Sequence, residues 1–233
     1  MTKVKTLGVL GGLGPMSSAY FYELLTAHTK ASCDQEHMDI VISSRATTPD
    51  RTGYILGKTD KSPIFDMIRD TKKLIDFGAD LVVIPCNTAH YFYDELAEKT
   101  NAPILNIIEE TVRFASQKGA KKLGILATSG TIHTNTYQKY SKKFGIECIV
   151  LEDELQNELM EMIYSTVKSG KSVDTKRFLE IGDTLLSKGA DFNILGCTEL
   201  SLIDKACPLG EKYIDSLKVL AKAAIEACGK EYI

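Results

Sequence analysis

No apolar run in this 233-residue chain approaches the roughly 20 residues needed to span a membrane. No basic stretch is dense and the net charge is −3, which argues against nucleic acid as a partner. The six cysteines, Cys33, Cys86, Cys148, Cys197, Cys207 and Cys228, contain no CxxC pair and no tight framework. A disulfide scaffold is therefore not expected, and free thiols are. No cluster with metal-ligand spacing is visible, so no metal is expected. Low-complexity segments and flexible linkers are also missing. The first residues, MTKVKTLGVLGGLG, hold lysines and a short apolar run, but glycines break that run before it reaches the length of a signal-peptide core. It reads as a first strand, and a cytoplasmic location is expected.

What is present is repetition. Residues 78–88 read GADLVVIPCNT and residues 189–199 read GADFNILGCTE, an offset of 111 (189 − 78). In each, a strand-like apolar run follows Gly-Ala-Asp and ends on a cysteine, Cys86 or Cys197. Leu7-Gly8-Val9-Leu10 is echoed by Leu123-Gly124-Ile125-Leu126 at an offset of 116 (123 − 7). Strand-like runs at 6–10, 39–43, 81–85, 103–107, 122–127, 147–151 and 192–196 alternate with amphipathic stretches such as 63–77 and 155–168. Ile64, Met67, Ile68, Thr71, Leu74 and Ile75 recur at helical spacing in the first of these. Such alternation predicts an α/β fold with mainly parallel sheets covered by helices. The duplication predicts two pseudo-symmetric Rossmann/flavodoxin-like domains with the active site in the cleft between them. The expected division is residues 1–110 and 111–210, the halves meeting near 108–121. Residues 211–233 carry a capped amphipathic helix, Ser216 to Cys228, and are expected to return to the first domain. Open α/β sheets bind ligands at their strand C-termini, so both cysteines are expected to face one site.

The motifs separate chemistry from punctuation. Gly11-Gly12-Leu13-Gly14-Pro15 follows the first strand but fails as a dinucleotide fingerprint. The third glycine would be residue 17, which is Ser17, and Ser43 and Ser44 stand where the second strand should end in an acid. It reads as a tight strand-to-helix turn with Pro15 at the first helical position and its backbone as a ligand wall. Cys86-Asn87-Thr88-Ala89-His90 sits where a strand gives way to a helix; Asn87 and Thr88 are expected to cap that helix, and its positive end to lower the Cys86 pKa. A lone His usually serves structure, and His90 is read so. In Cys197-Thr198-Glu199 the acid either accepts a proton from the thiol or caps a helix. A Cys86–Cys197 disulfide is the remaining alternative. Arg51, in the loop Pro49-Asp50-Arg51-Thr52, is placed to hold a carboxylate by two parallel hydrogen bonds. Thr128-Ser129-Gly130-Thr131 suits a second anion. Lys168 lies near the end of its helix, where a lysine also favours the helix dipole.

GGLGP, PDRT, PCNTAH, ATSGTI and GCTE occur in this order across nearly the full chain. Together they make the sequence closely resemble the pyridoxal-phosphate-independent aspartate racemases of the aspartate/glutamate/hydantoin racemase superfamily. The resemblance implies two-base proton transfer at the α carbon by Cys86 and Cys197, without a cofactor. By motif position it implies that Arg51 and Lys168 contact substrate carboxylates and that Asn87, Thr88, Thr128, Thr131 and Thr198 donate to the same groups. Asp50, Gly12, Ser129 and Glu199 are expected in supporting places. Aspartate is the expected substrate, and a homodimer the expected assembly. The glutamate branch carries DSG in its first loop and His after its second GCT, where this chain has GGLG and Glu199. Glutamate or broad-specificity racemisation, another isomerase or decarboxylase step, and a non-catalytic dicarboxylate-binding protein are the competing readings.

Overall fold

The computed structural model describes residues 4–233. Eight strands are present among them: β1 (Leu7–Gly11), β2 (Ile40–Ser44), β3 (Leu81–Val83), β4 (Ile104–Leu105), β5 (Lys122–Ala127), β6 (Glu147–Ile149), β7 (Phe192–Gly196) and β8 (Tyr213–Asp215). The α-helices are α1 (Pro15–His28), α2 (Arg51–Ile55), α3 (Ile64–Asp76), α4 (Tyr93–Thr100), α5 (Ile107–Gln117), α6 (Ser129–His133), α7 (Thr136–Ser141), α8 (Asp153–Glu161), α9 (Thr175–Ser187), α10 (Leu200–Ala206) and α11 (Ser216–Ala227). No helix among the described residues is long and apolar enough to cross a membrane.

The strands form two four-stranded parallel sheets with matching orders, β2-β1-β3-β4 and β6-β5-β7-β8. The register makes the duplication explicit: Leu7 pairs with Leu81 in the first sheet, and Leu123 with Phe192 in the second. Each cysteine then follows five residues beyond the paired position, Cys86 after Leu81 and Cys197 after Phe192. Central strands β1, β5 and β7 are buried almost throughout, as strands covered by helices on both faces must be, while edge strands β2 and β6 are half exposed. The strand order reverses between β1 and β3, and between β5 and β7. In open α/β sheets this switch point opens a crevice at the strand C-termini, and both cysteines emerge there.

Three differences from the expected strands have a local reason. The run at 81–85 pairs only to Val83, because Pro85 has no N–H to continue the ladder. The run at 103–107 shortens to Ile104–Leu105, because the Asn106 side chain accepts hydrogen bonds from the Ile108 and Glu109 amides and starts α5 one residue later. The strand β8 went unread; it is three residues long and leads directly into a helix. Asp215 is the N-cap of that helix, accepting from the Leu217 and Lys218 amides.

The two sheets share one continuous core. Leu7 and Val9 of β1, Leu123 and Ile125 of β5, Phe21 and Leu25 of α1, Ile108 and Val112 of α5, and Leu217 and Leu220 of α11 belong to a single buried cluster. Separate clusters lie under α3 in the first half and under α8 and α9 in the second. Residues 107–117, at the expected junction, are thus a buried helix. After β8 joins the second sheet, the chain returns through α11 to the first half: Lys5 N–H donates to Cys228 O, Lys30 N–H to Glu231 O, and Ile233 N–H to His28 O.

Candidate active site

The first half delivers Cys86 beside a short 3-10 turn, Thr88–Phe92, and the second delivers Cys197 just past the end of β7. Both thiols are buried, free, and line one narrow slot between the halves. The slot has about 10 Å³ of room, about one water molecule. It adjoins an outer cavity of about 360 Å³, within the usual range for small ligands. Asp50, Arg51, Tyr164, Lys168 and Glu199 line both.

Arg51 is the first residue of α2 rather than part of a loop, and it is buried. Nη1 donates to Thr48 O at 3.3 Å and Pro49 O at 3.0 Å, and Nη2 to Leu13 O at 2.8 Å. Three of the five guanidinium hydrogens are thus committed to neutral carbonyls. Nε has no hydrogen-bond partner among the described residues. A buried cation surrounded by carbonyls, with a donor left over on a residue that lines the cavity, fits an anionic ligand group. Lys168 closes the other side, its Nζ 3.8 Å from the Tyr164 ring centroid. Burial pulls its pKa down, but the summed influence of Glu199, Cys197, Tyr164 and Asp50 more than offsets that and holds the ammonium above its ordinary value. The Tyr164 hydroxyl reaches across to Asp50, donating to Oδ2 at 3.1 Å. Tyr164 lies within the π-helical turn Met162–Val167, and Lys168 directly follows it. Such turns recur at functional sites.

Cys197 Sγ donates to Glu199 Oε2 at 2.9 Å. Burial pushes this thiol well above its usual value, the Glu199 carboxylate adds to the rise, and Lys168 opposes it. No helix N-terminus lowers Cys197: α10 starts only at Leu200 and a carboxylate stands closer. Nor does Glu199 cap α10 with its side chain.

The expected polar donors are brought together, but several bond one another. Thr88 Oγ1 lies 2.8 Å from Thr128 Oγ1 and 3.0 Å from Thr131 Oγ1. Asn87 does not cap: its Nδ2 donates to Ser216 Oγ at 3.0 Å, and its Oδ1 accepts from Tyr137 Oη at 2.7 Å. Ser216 Oγ in turn donates to Leu195 O of β7. Asn87 thus ties the two halves beneath the slot. Thr198 Oγ1 donates to Pro85 O at 3.3 Å, making a further link. Gly12, at φ +82 with Arg45 backbone 2.4 Å from where a Cβ would stand, lines the outer cavity. Ser129 is not part of either lining; its hydroxyl accepts from Gln156 Nε2. Tyr137→Phe leaves Asn87 Oδ1 buried without its donor, so it should lower stability by about 1–3 kcal/mol. Urea unfolding of the variant checks this.

His90 serves structure. It is buried, Nδ1–H donates to Cys86 O at 2.9 Å, and Nε2 accepts from Ile107 N–H at 3.2 Å. Burial lowers its pKa from 6.5 to about 4. The folded state thus resists protonation, so this contribution is full above pH 6.5 and is lost as pH falls towards 4. Asp215, raised by burial to about 6, acts in the opposite sense over the same range. The comparison of His90→Gln with wild type isolates the histidine. The variant's stability deficit at pH 7 should shrink by about 3 kcal/mol on going to pH 4, read from urea midpoints at each pH.

Sequence reasoning missed Ser17, Thr48 and Tyr164, which all line the outer cavity. Ser17 Oγ is buried without a partner among the described residues. In the sequence Ser17 counted only against a dinucleotide fingerprint. Tyr164 had a usable signal, standing four residues before Lys168 and so on the same helix face.

Two free thiols at the crevices of two flavodoxin-like halves, with a buried arginine and a lysine beside them, line a site fitted to a small anionic ligand. The chain belongs to the Asp/Glu/Hydantoin racemase family, whose model matches residues 10–224; it is an amino-acid racemase, an isomerase acting on a small molecule. It is similar in structure to the aspartate racemase of Picrophilus torridus, with a TM-score of 0.83 and 28% identity over 98% of this chain and 96% of that one. It is 29% identical over 223 residues to the broad-specificity amino-acid racemase RacX of Bacillus subtilis (strain 168), covering 94% of this chain and 96% of that protein. It is 30% identical over 204 residues to the glutamate racemase of Aquifex aeolicus (strain VF5), covering 80% and 77%.

Proposed function

We propose that this chain interconverts L- and D-aspartate, without a cofactor, by two-base proton transfer between Cys86, Cys197 and the α carbon. The observation that carries the reading is the convergence of two strand-borne cysteines, one from each repeat, on one slot. One thiolate removes the α proton; the opposite thiol delivers a proton to the other face. The carboxylates of the substrate are held by Arg51, through its free Nε, and by the Lys168 ammonium. Carbanion charge spreads onto a carboxylate, where fixed donors at the Thr88–Thr128 seam and backbone N–H groups stabilise it. For the enantiomer whose α proton faces Cys86, Cys197, holding its proton against Glu199, is the acid; the roles exchange for the other enantiomer. The slot admits substrate when the exposed Tyr164–Asp50 link opens. The Picrophilus relative named as an aspartate racemase supports the choice of aspartate.

The outer cavity of about 360 Å³ favours a second reading, a broader range of amino acids, in line with the name of RacX. Chiral chromatography of reactions started from each enantiomer of aspartate, glutamate and a panel of neutral and basic amino acids separates the two. Turnover of aspartate alone or foremost supports the first, comparable rates across the panel support the second, and no interconversion of any amino acid contradicts both. An absorbance band of bound pyridoxal phosphate would contradict cofactor independence. A native mass of one chain would contradict the homodimer that belongs to this reading.

A further inference from the structure

Glu199 is only half used by the chemistry described so far. The residue is 4% exposed. Oε2 accepts the Cys197 thiol, whereas Oε1 is buried with no hydrogen-bond partner among the described residues. A carboxylate oxygen buried without a donor is costly, so the site calls for a donor, and a charged one for preference. Gly14 marks the side on which a donor would meet it. A Cβ at Gly14 would stand 2.6 Å from Oε1, so the lack of a side chain there leaves room beside the oxygen at the wall of the outer cavity that both residues line. Lys168 is near enough for its charge to be felt, but its ammonium sits on the Tyr164 ring and forms no ion pair with Glu199 among the described residues.

The structure assigns Glu199 Oε1 to the α-ammonium of the substrate. The assignment rests on the amino-acid racemase reading and adds to it the group that distinguishes an amino acid from a plain dicarboxylate. Arg51 and Lys168 recognise carboxylates, which succinate carries as well as aspartate does; among the described residues lining the site, Glu199 is the buried carboxylate that can accept from the nitrogen, Asp50 being exposed. The same carboxylate would then hold the Cys197 thiol on one oxygen and the substrate nitrogen on the other. The α carbon, one bond from that nitrogen, is thereby placed beside the sulfur. The bound ammonium also offsets the Glu199 charge that bears on the Cys197 thiol. Cys197 is thus freer to give up its proton when an amino acid is present.

Calorimetric titration of the full chain with aspartate and with succinate tests the assignment. Wild type should bind aspartate more tightly than succinate. Glu199→Gln should weaken aspartate about 10–100-fold, the loss of one charge-assisted contact, and leave succinate unchanged or tighter. Gly14→Ala, which puts a methyl group against Oε1 while keeping the Glu199 charge, should collapse the same selectivity. Equal affinity of wild type for the two ligands, or parallel loss of both in Glu199→Gln, would overturn the assignment. Wild type that binds neither ligand, nor glutamate and glutarate, would overturn the dicarboxylate reading and this assignment with it.

Discussion

Cys86→Ser and Cys197→Ser each lower kcat for racemisation by about 10³-fold or more in both directions, the scale of a lost general acid or base. Serine preserves size and hydrogen bonding, so each variant should still fold and bind substrate. What it loses is a group able to hold and release a proton near neutral pH. Because a full inversion needs both faces, the two substitutions should not add; the double variant should be no slower than the slower single one. The half-reactions should separate. With Cys197 replaced, Cys86 still meets the α proton of one enantiomer and should exchange it with solvent without inverting it. With Cys86 replaced, the other enantiomer should exchange. Chiral chromatography gives the inversion rates, and proton NMR in heavy water gives the exchange. A single-cysteine variant that still inverts substrate at near wild-type rate would refute the two-base scheme.

Arg51 carries the second large effect. Arg51→Lys should lower kcat/KM for aspartate by about 10–100-fold, chiefly through KM, since a charge-assisted bond to a carboxylate is at stake. The native guanidinium spans three carbonyls, Leu13 O, Thr48 O and Pro49 O, and still leaves Nε unpaired among the described residues. An ammonium is a point charge and cannot meet all of these positions at once. The same three bonds join the turn after β1 to the segment before α2, so the variant should also be less stable than wild type. Steady-state kinetics and thermal unfolding of the one variant report the two roles separately. An unchanged KM would remove Arg51 from substrate recognition and leave it a scaffold residue.

The parts of this architecture that were legible from sequence are those that repeat or carry period. Gly-Ala-Asp followed by an apolar run to a cysteine marked β3 and β7, and the sheet register pairs their equivalents with β1 and β5. The 63–77 periodicity corresponds to α3, whose Ile64, Met67 and Leu74 are buried. What stayed hidden depends on partners distant in the chain. Asn87 read as a cap because caps are local; its bonds to Tyr137 and Ser216 cross between the halves. Thr88, Thr128 and Thr131 read as ligand donors, and only the packed halves show them bonded together. The rise in the Cys197 pKa depends on burial and on the rotamer that turns Glu199 towards the thiol rather than to the helix end. Arg51 was legible as a cation of the site by type. That three of its hydrogens are committed to backbone, leaving Nε for a ligand, needed the three segments around it.

The central claim is that two thiols on opposite faces of the α carbon exchange a proton there. Early-time racemisation of L-aspartate and, separately, D-aspartate in heavy water tests it most directly, with the α-deuterium content of each enantiomer measured after chiral separation. The account predicts that the product enantiomer carries deuterium from the first turnovers while the recovered starting enantiomer remains protiated, in both directions. A product that retains the substrate's own α proton, or starting material that gains deuterium as fast as the product does, would contradict it.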